Sequence, residues 1–484
     1  MKRLARVSIL STIALTVLGG APLTAADAAA PTPAVLSVGQ ISRQDVAPQP
    51  GSEPDTLVEP DVAVSPLNPR IAVAASHDGR FPDGGAVAIS HAWTRDGGRT
   101  WRHAAVPFLT KAVGGAYDRA SDPVLAFGPD GTAYLSTLLF DTNSCSGAVA
   151  VSRSTDGGAT FEAPVFAHAG DSCDFSDDKN WIVVDTSKNS PHLGRIYQFW
   201  TAYTPDAQGN YTGAQVLRWS DDQAATWSDT VFLTEPGIDT QGSQPMIQRD
   251  GTIIDAYLTF GPGGSGEKPE RVGGRPGRSA QAAKPLATPG DPFVARTSRD
   301  GGATWSSETT ITTDIGPGPD GIRCCLPSAV ADPTTGRLYA AWESVTPGLV
   351  RLSTSNDGRH WSAPIKVNRD PGRGYDHVNV DVTAFAGRAF VSYGTRNTRV
   401  AGGRYVQQQI SASYNGGRSF GAPISVGGRS DLRYAAQAGG IFPGDYIGTA
   451  AGPGKVYAVW CRSSRPSDPS ATYHQTLYAA VLRP

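Results

Sequence analysis

The chain has 484 residues, with 56 Gly, 37 Pro and only two Met, and 18% of its residues are charged. A formal charge of −2 excludes a broad electrostatic attraction to nucleic acid or to an anionic membrane surface. The wealth of Gly and Pro, and the lack of long helical periodicity, exclude a helical protein and point to an all-β one built from short strands and tight turns.

The N-terminus opens with Lys2, Arg3 and Arg6, continues through an apolar run over 7–18 and reaches Ala25-Ala26-Asp27-Ala28. This is the pattern of a secretory signal peptide over 1–30. The apolar run is too short to span a bilayer comfortably. The expectation is a secreted, extracellular, monomeric protein with no membrane and no nucleic-acid partner. A strand is predicted at 35–41, followed by a four-strand unit that recurs along the chain. The unit is clearest at 122–127, 132–139, 147–154 and 163–168, with a Gly128-Pro129-Asp130-Gly131 turn after its first strand. First strands of successive units are predicted at 59–64, 122–127, 180–185, 244–248, 326–331, 378–384 and 445–451. The last unit has strands at 445–451, 455–460 and 473–482, and then the chain ends. The 35–41 strand is expected to complete it, which removes the open sheet edges. The predicted fold is a single seven-bladed β-propeller of four-stranded antiparallel blades over 34–484, with a six-bladed ring as the alternative.

Between the third and fourth strands of six units stands a repeated motif: TRDGGRTW at 94–101, STDGGATF at 154–161, SDDQAATW at 220–227, SRDGGATW at 298–305, SNDGRHW at 355–361 and SYNGGRSF at 413–420. Asp followed by Gly-Gly marks a tight turn that needs positive φ. The carboxylate can accept from the turn's own backbone, and the aromatic ring packs beneath it. A fixed hairpin recurring every few tens of residues means a repeat architecture. This motif resembles the Asp-box, or bacterial neuraminidase repeat, of sialidases and several other β-propeller families. The resemblance spans nearly the whole chain after the leader. It implies the propeller fold and says little about the reaction, because these turns carry no chemistry.

Strand direction puts every such turn on one face of the ring. The loops that lead into the first strands, and those between second and third strands, lie on the other face and ring the mouth of the central channel. The long Gly/Pro/Arg-rich segment 261–291 falls on that face and is expected to be a disordered loop or a lid. Cys145 and Cys173 fall there too, in neighbouring loops, and are predicted to form a disulfide, as suits an exported protein. Cys324, Cys325 and Cys461 leave two arrangements open: a vicinal bridge, or a bridge from one of the pair to Cys461.

The mouth is rich in chemistry-bearing residues: Glu59, Asp61, Asp118, Arg119, Asp122, Asp177, Asp178, Lys179, Gln241, Arg323, Asp376, His377, Asp445 and Tyr446. His77, Asp78, Arg80, Arg396 and Arg462 join them from the ends of second strands. Carboxylates, guanidinium groups and rings in one funnel suit a glycan, above all an anionic one. Arg pairs bidentately with carboxylate, and paired carboxylates cleave glycosidic bonds. No cofactor is expected, although Asp61, Asp122 or Asp178 could hold Ca²⁺, a hard cation that takes oxygen ligands. The tyrosines Tyr134, Tyr197, Tyr339 and Tyr457 repeat in register and are expected in the core.

The sialidase resemblance implies three arginines on the substrate carboxylate, a Tyr nucleophile assisted by Glu, and an Asp acid/base. The Arg that opens the first catalytic strand in that family is absent from Val58-Glu59-Pro60-Asp61, and Arg70 falls on the turn face. By position, Asp78 stands for the acid/base, Tyr446 for the nucleophile and Glu59 for its helper. Arg119 and Arg323 are the anion-binding pair, with Asp122, Asp178, His377 and Arg462 as further substrate contacts. The favoured function is an exo-sialidase-like glycoside hydrolase. The alternatives are a uronate polysaccharide lyase, for which His, Tyr and Arg form the usual kit, and a non-catalytic propeller that binds glycan or protein. A serine-hydrolase elbow and a phosphate loop are both missing.

Overall fold

The structure, a computed structural model, describes residues 31–484 apart from 44, 46–47, 206–210, 236, 262–289 and 371. The predicted leader over 1–30 and nearly all of the 261–291 segment lie outside the described residues. The fold is all-β. Its only helices among the described residues are three short 3₁₀ turns, and none is long and apolar enough to cross a membrane.

The strands form four-stranded antiparallel sheets in chain order. Ser176–Val184, Ile196–Pro205, Tyr211–Ser220 and Val231–Phe232 make one such sheet. The next two follow the same plan, from Thr240–Ile247 to Thr309–Thr312 and from Ser328–Ala331 to Ile365–Lys366. Tyr375–Phe385 heads a further sheet, which gains the short strand Ser430–Asp431 as a fifth member. Strands from Asp61–Val64 to Val165–Gly170 form one eight-stranded sheet. Its two four-stranded halves touch through the single Ala86–Ala120 pair. The chain ends meet: Ala34–Gln40 pairs antiparallel with Gln475–Arg483, beside Lys455–Ser463 and Gly448–Gly452.

The repeated turns explain why the sheets recur. In the 154–161 copy, the Ser154 hydroxyl donates to Asp156 Oδ1 at 2.9 Å and accepts the Gly158 N–H at 2.9 Å. Asp156 Oδ1 accepts the Ala159 and Thr160 N–H groups at 2.9 and 3.0 Å, and the Thr160 hydroxyl donates to Oδ2 at 2.8 Å. The Asp156 carboxylate and the Ser154 hydroxyl thus satisfy the Gly158, Ala159 and Thr160 N–H groups within the turn itself. Gly158 has φ +81, and a Cβ there would lie 2.0 Å from Val73 Cγ2, so the turn can press flat against the neighbouring sheet only with glycine. In the 220–227 copy, the hydroxyl and amide of Thr226 hold the Asp222 carboxyl down to about 2.

Alternate residues of each strand face the adjoining sheets, so both faces are apolar. Tyr134, Tyr197, Tyr339 and Tyr457 are buried there, as their register predicts. Cys145 and Cys173 are bonded, with Cα atoms 5.0 Å apart. Cys324 and Cys325 are bonded to each other. Cys461 is a buried thiol, pushed well above its usual range by burial and then by the nearby Glu59 carboxyl.

Candidate active site

The first strands of the sheets carry an irregularity at one recurring place, and it builds the floor of a cleft. The pairing of Arg119–Phe127 with its neighbour slips between Ser121 and Val124, and that of Ser176–Val184 slips between Asp178 and Trp181. Asp122 (φ +49) and Lys179 (φ +47) occupy these bulges, and Glu59 (φ +53) stands just before Asp61–Val64. Side chains other than Gly, Asn and Asp are rare in this left-handed region. Bulges re-aim side chains, and here they bring Glu59, Asp122 and Lys179 together.

Glu59 Oε2 lies 3.2 Å from His77 Nε2. The Asp122 backbone N–H donates to that same nitrogen at 3.0 Å, so Nε2 is the ring's acceptor and its proton sits on Nδ1. A carboxyl beside a ring lone pair is favourable only if it carries a proton. Burial, and then the charge of Asp122, push Glu59 up in the same direction. Burial also opposes ionisation of Asp122. Lys179 first, and the Ser121 hydroxyl with it, outweigh it and hold the Asp122 carboxyl below its usual range. Lys179 Nζ is 3.6 Å from Asp122 Oδ2 and 4.2 Å from the centre of the Tyr446 ring. Tyr446 donates to the Pro123 carbonyl at 3.3 Å. Burial, with Glu59 and Asp122 behind it, pushes its phenol well above the usual range, which makes it a poor nucleophile.

Above this floor opens a cleft of about 310 Å³. One wall holds His168, whose Nδ1 lies 2.7 Å from Asp177 Oδ2. Its ring stacks on Trp200 at 5.7 Å and meets the edge of Phe175 at 5.0 Å. The His168 side chain is 19% exposed. With Nδ1–H given to Asp177, the Nε2 lone pair remains available. Tyr203 and Tyr211 line the same cleft, and the Tyr211 hydroxyl donates to the Cys173 carbonyl at 3.3 Å. Arg323 also lines the cleft, 4.9 Å over the Phe442 ring and 3.8 Å from Asp445. Both members of the Cys145–Cys173 bond line the cleft.

The structure gathers some of the expected site residues and scatters others. Glu59, Asp122, Asp178 and Arg323 line the cleft, and Tyr446 lies beneath its floor. Asp78 does not line it. It follows His77 on Ala72–Arg80, strand alternation turns it to the other face, and it lies there 4.0 Å from the buried His103. Arg119 is bound bidentately by Asp83 at 2.7 and 3.2 Å and lies over Phe81, so it makes no pair with Arg323. His377 is buried against Asn368, Asp370 and Thr395. Arg462 donates to the Tyr478 hydroxyl and the Arg429 carbonyl. A three-arginine cluster is therefore not assembled among the described residues.

The carboxylates named for Ca²⁺ do not converge either. Asp61 accepts the Leu125 N–H at 2.7 Å and lines a separate channel with Asp381. Asp178 accepts from Gln241 and from the Lys179 N–H. Glu59, His77 and Asp122 do offer ligand atoms within 4.8 Å of one another. However, Nε2 is already an acceptor for an amide and Lys179 supplies the countercharge, so this donor set does not fit a cation.

The pairing that sequence reasoning missed is His168 with Asp177. Asp177 stood among the mouth residues, whereas His168 was read as the end of an outer strand. That strand continues to Gly170 and carries the imidazole up to the cleft.

No protein-family model matches the chain, and no curated protein matches it. Solved structures do. An ulvan lyase, described as a new family of polysaccharide lyase, is 14% identical over 90% of this chain and 95% of its own, with a TM-score of 0.50. An α-L-arabinanase of Penicillium chrysogenum is 16% identical over 83% of this chain and 99% of its own, with a TM-score of 0.47. A sialidase from a Hadza microbial source is 15% identical over 93% of this chain and 96% of its own, with a TM-score of 0.45. At such identities the likeness shows the fold alone, a propeller-type one.

Proposed function

We propose that the protein is an exported glycan-active enzyme that cleaves a uronate-containing polysaccharide by β-elimination. We read the sheets as seven blades of one domain over 34–484, closed by Ala34–Gln40. The observation that carries the reaction is the His168–Asp177 pair on the wall of the cleft. A carboxylate on Nδ1 fixes the tautomer, so Nε2 is an oriented base. Arg323, which lines the same cleft, would pair with the uronate carboxylate and make the adjacent C5–H more acidic. Nε2 takes the C5 proton, the C4–O4 bond breaks, a C4=C5 double bond forms, and the leaving O4 takes a proton from the Tyr211 hydroxyl. The ulvan lyase likeness agrees with this reading. The exo-sialidase reading loses support, because Asp78 and Arg119 lie outside the cleft and Tyr446 is sealed beneath it.

A second reading rests on Glu59 and Asp122. Their environments push one carboxyl up and the other down, the division of labour that glycoside hydrolysis uses. Digestion of a panel of uronate polysaccharides decides between the two. Elimination releases chain ends that absorb ultraviolet light, and Asp177→Asn should lower that rate by roughly 10²–10⁴-fold. New reducing ends without that absorbance would favour the carboxyl pair. No cleavage of any substrate would favour a binding protein.

A further inference from the structure

Asp177 reaches His168 only because its strand is bulged. Asp178 pairs with Thr201 and Trp181 with Phe199, so Lys179 and Asn180 together oppose the single residue Trp200. One extra residue reverses the alternation of side chains. Downstream of the bulge, the face is fixed by packing: Trp181 lies edge-on to Tyr446 at 5.7 Å and packs on the core around Ile182 and Val184. If the bulge were ironed out, Asp177 would turn away from His168 and Asp178 would take its place.

The bulge is held from the neighbouring sheet and from Tyr446. Asn180 Nδ2 donates to the Asp122 carbonyl at 3.0 Å and to the Ser136 hydroxyl at 2.7 Å. Lys179 Nζ stands between Asp122 Oδ2 at 3.6 Å and the Tyr446 ring at 4.2 Å. The side chain is 4% exposed, and Nζ makes no hydrogen bond among the described residues. A lysine at φ +47 is held in a conformation that costs about 1–2 kcal/mol. Such a residue persists only when its surroundings over-determine it. Here they do so through charge and a cation–π contact, since no directed hydrogen bond anchors the ammonium.

We infer that Lys179 is a positioning residue: its buried ammonium, gripped by Asp122 and Tyr446, locks the bulge that aims Asp177 at His168. This rests on the reading of His168 as the base, and it couples the floor of the cleft to its wall.

The test uses the full chain and two readouts. Nitrogen-15 NMR of the histidine rings reports the His168 tautomer without substrate, with Asp177→Asn as the reference for a lost carboxylate. In the wild type, His168 should hold its proton on Nδ1. In Lys179→Met, the His168 signals should move toward those of Asp177→Asn, and kcat on the best uronate polysaccharide should fall about tenfold or more with little change in KM. If Lys179→Met does not fold, Lys179→Gln removes the charge while keeping a side chain that disfavours the positive φ, and gives the same readout. Unchanged His168 signals in a folded Lys179 variant overturn the inference. A changed tautomer in a protein whose wild type releases no unsaturated ends leaves the positioning role standing and rejects the elimination reading.

Discussion

Asp255 gives the sharpest test of the buried polar chemistry. It is fully buried. The Ser243 hydroxyl faces both Asp255 Oδ2 at 2.9 Å and Gln215 Oε1 at 2.6 Å. One hydroxyl has one proton and cannot serve two acceptors. If Asp255 is protonated, it donates to Ser243, which donates to Gln215, and the chain closes. Burial pushes the carboxyl in that direction, from 3.8 to about 8, against the opposing hydrogen bond from Ser243. Between those values the folded state binds one proton more than the unfolded state, so stability falls as pH rises. At about 1.36 kcal/mol per pH unit, the penalty relative to a neutral isostere is about 1–2 kcal/mol near pH 5. It levels off on the order of 5 kcal/mol above about pH 8. Asp255→Asn keeps the shape, and its amide can donate to Ser243 as the protonated acid does. Denaturant melts of both proteins near pH 5 and pH 9 should show the variant gaining stability, and gaining several-fold more at the higher pH. An Asn variant that is destabilised at both, or a wild-type pH dependence that the substitution leaves intact, would refute the reasoning.

Three further outcomes are expected. Gly158→Ala combines a φ of +81 with a contact of 2.0 Å to Val73 and should cost roughly 2–4 kcal/mol, read as a lowered melting temperature; an unchanged melt would mean that the turn does not press on the next sheet. Replacing both Cys145 and Cys173 by Ser opens a loop with a sequence separation of 28. The loss is about 3.6 kcal/mol by loop entropy, a fall of about 4 °C for a chain this long, and turnover should fall as well, because Cys173 carries the carbonyl that holds Tyr211. Arg323→Ala should raise KM for an anionic polysaccharide about tenfold or more while leaving the melt within about 1 °C of the wild type; equal kinetics would remove Arg323 from the site.

Much of the fold was legible because it is specified locally. The motif around Asp156 satisfies its own backbone, needs Gly158 for its conformation, and recurs with the same chemistry at Asp96, Asp222, Asp300, Asp357 and Asn415. The interval between copies then sets the strand count. The 145–173 bond followed from loop position alone, and so did the convergence of Glu59, Asp122 and Arg323 on one face. What the chain does not spell out is parity. Whether His77 or Asp78 faces the cleft depends on a single residue of register, and whether Asp177 or Asp178 meets His168 depends on a bulge at Lys179. A bulge forms where charge and packing from other strands make the left-handed backbone tolerable, and those partners (Asp122 and Tyr446) are remote in sequence. Arg119 and His377 illustrate the same limit. Their chemistry suited a ligand, but Asp83, Asn368 and Asp370 reach them first. Local hydrogen bonding and turn conformation are written in consecutive residues. The direction in which a side chain points, and the partner that neutralises it, exist only once the separate strands are packed around a common centre.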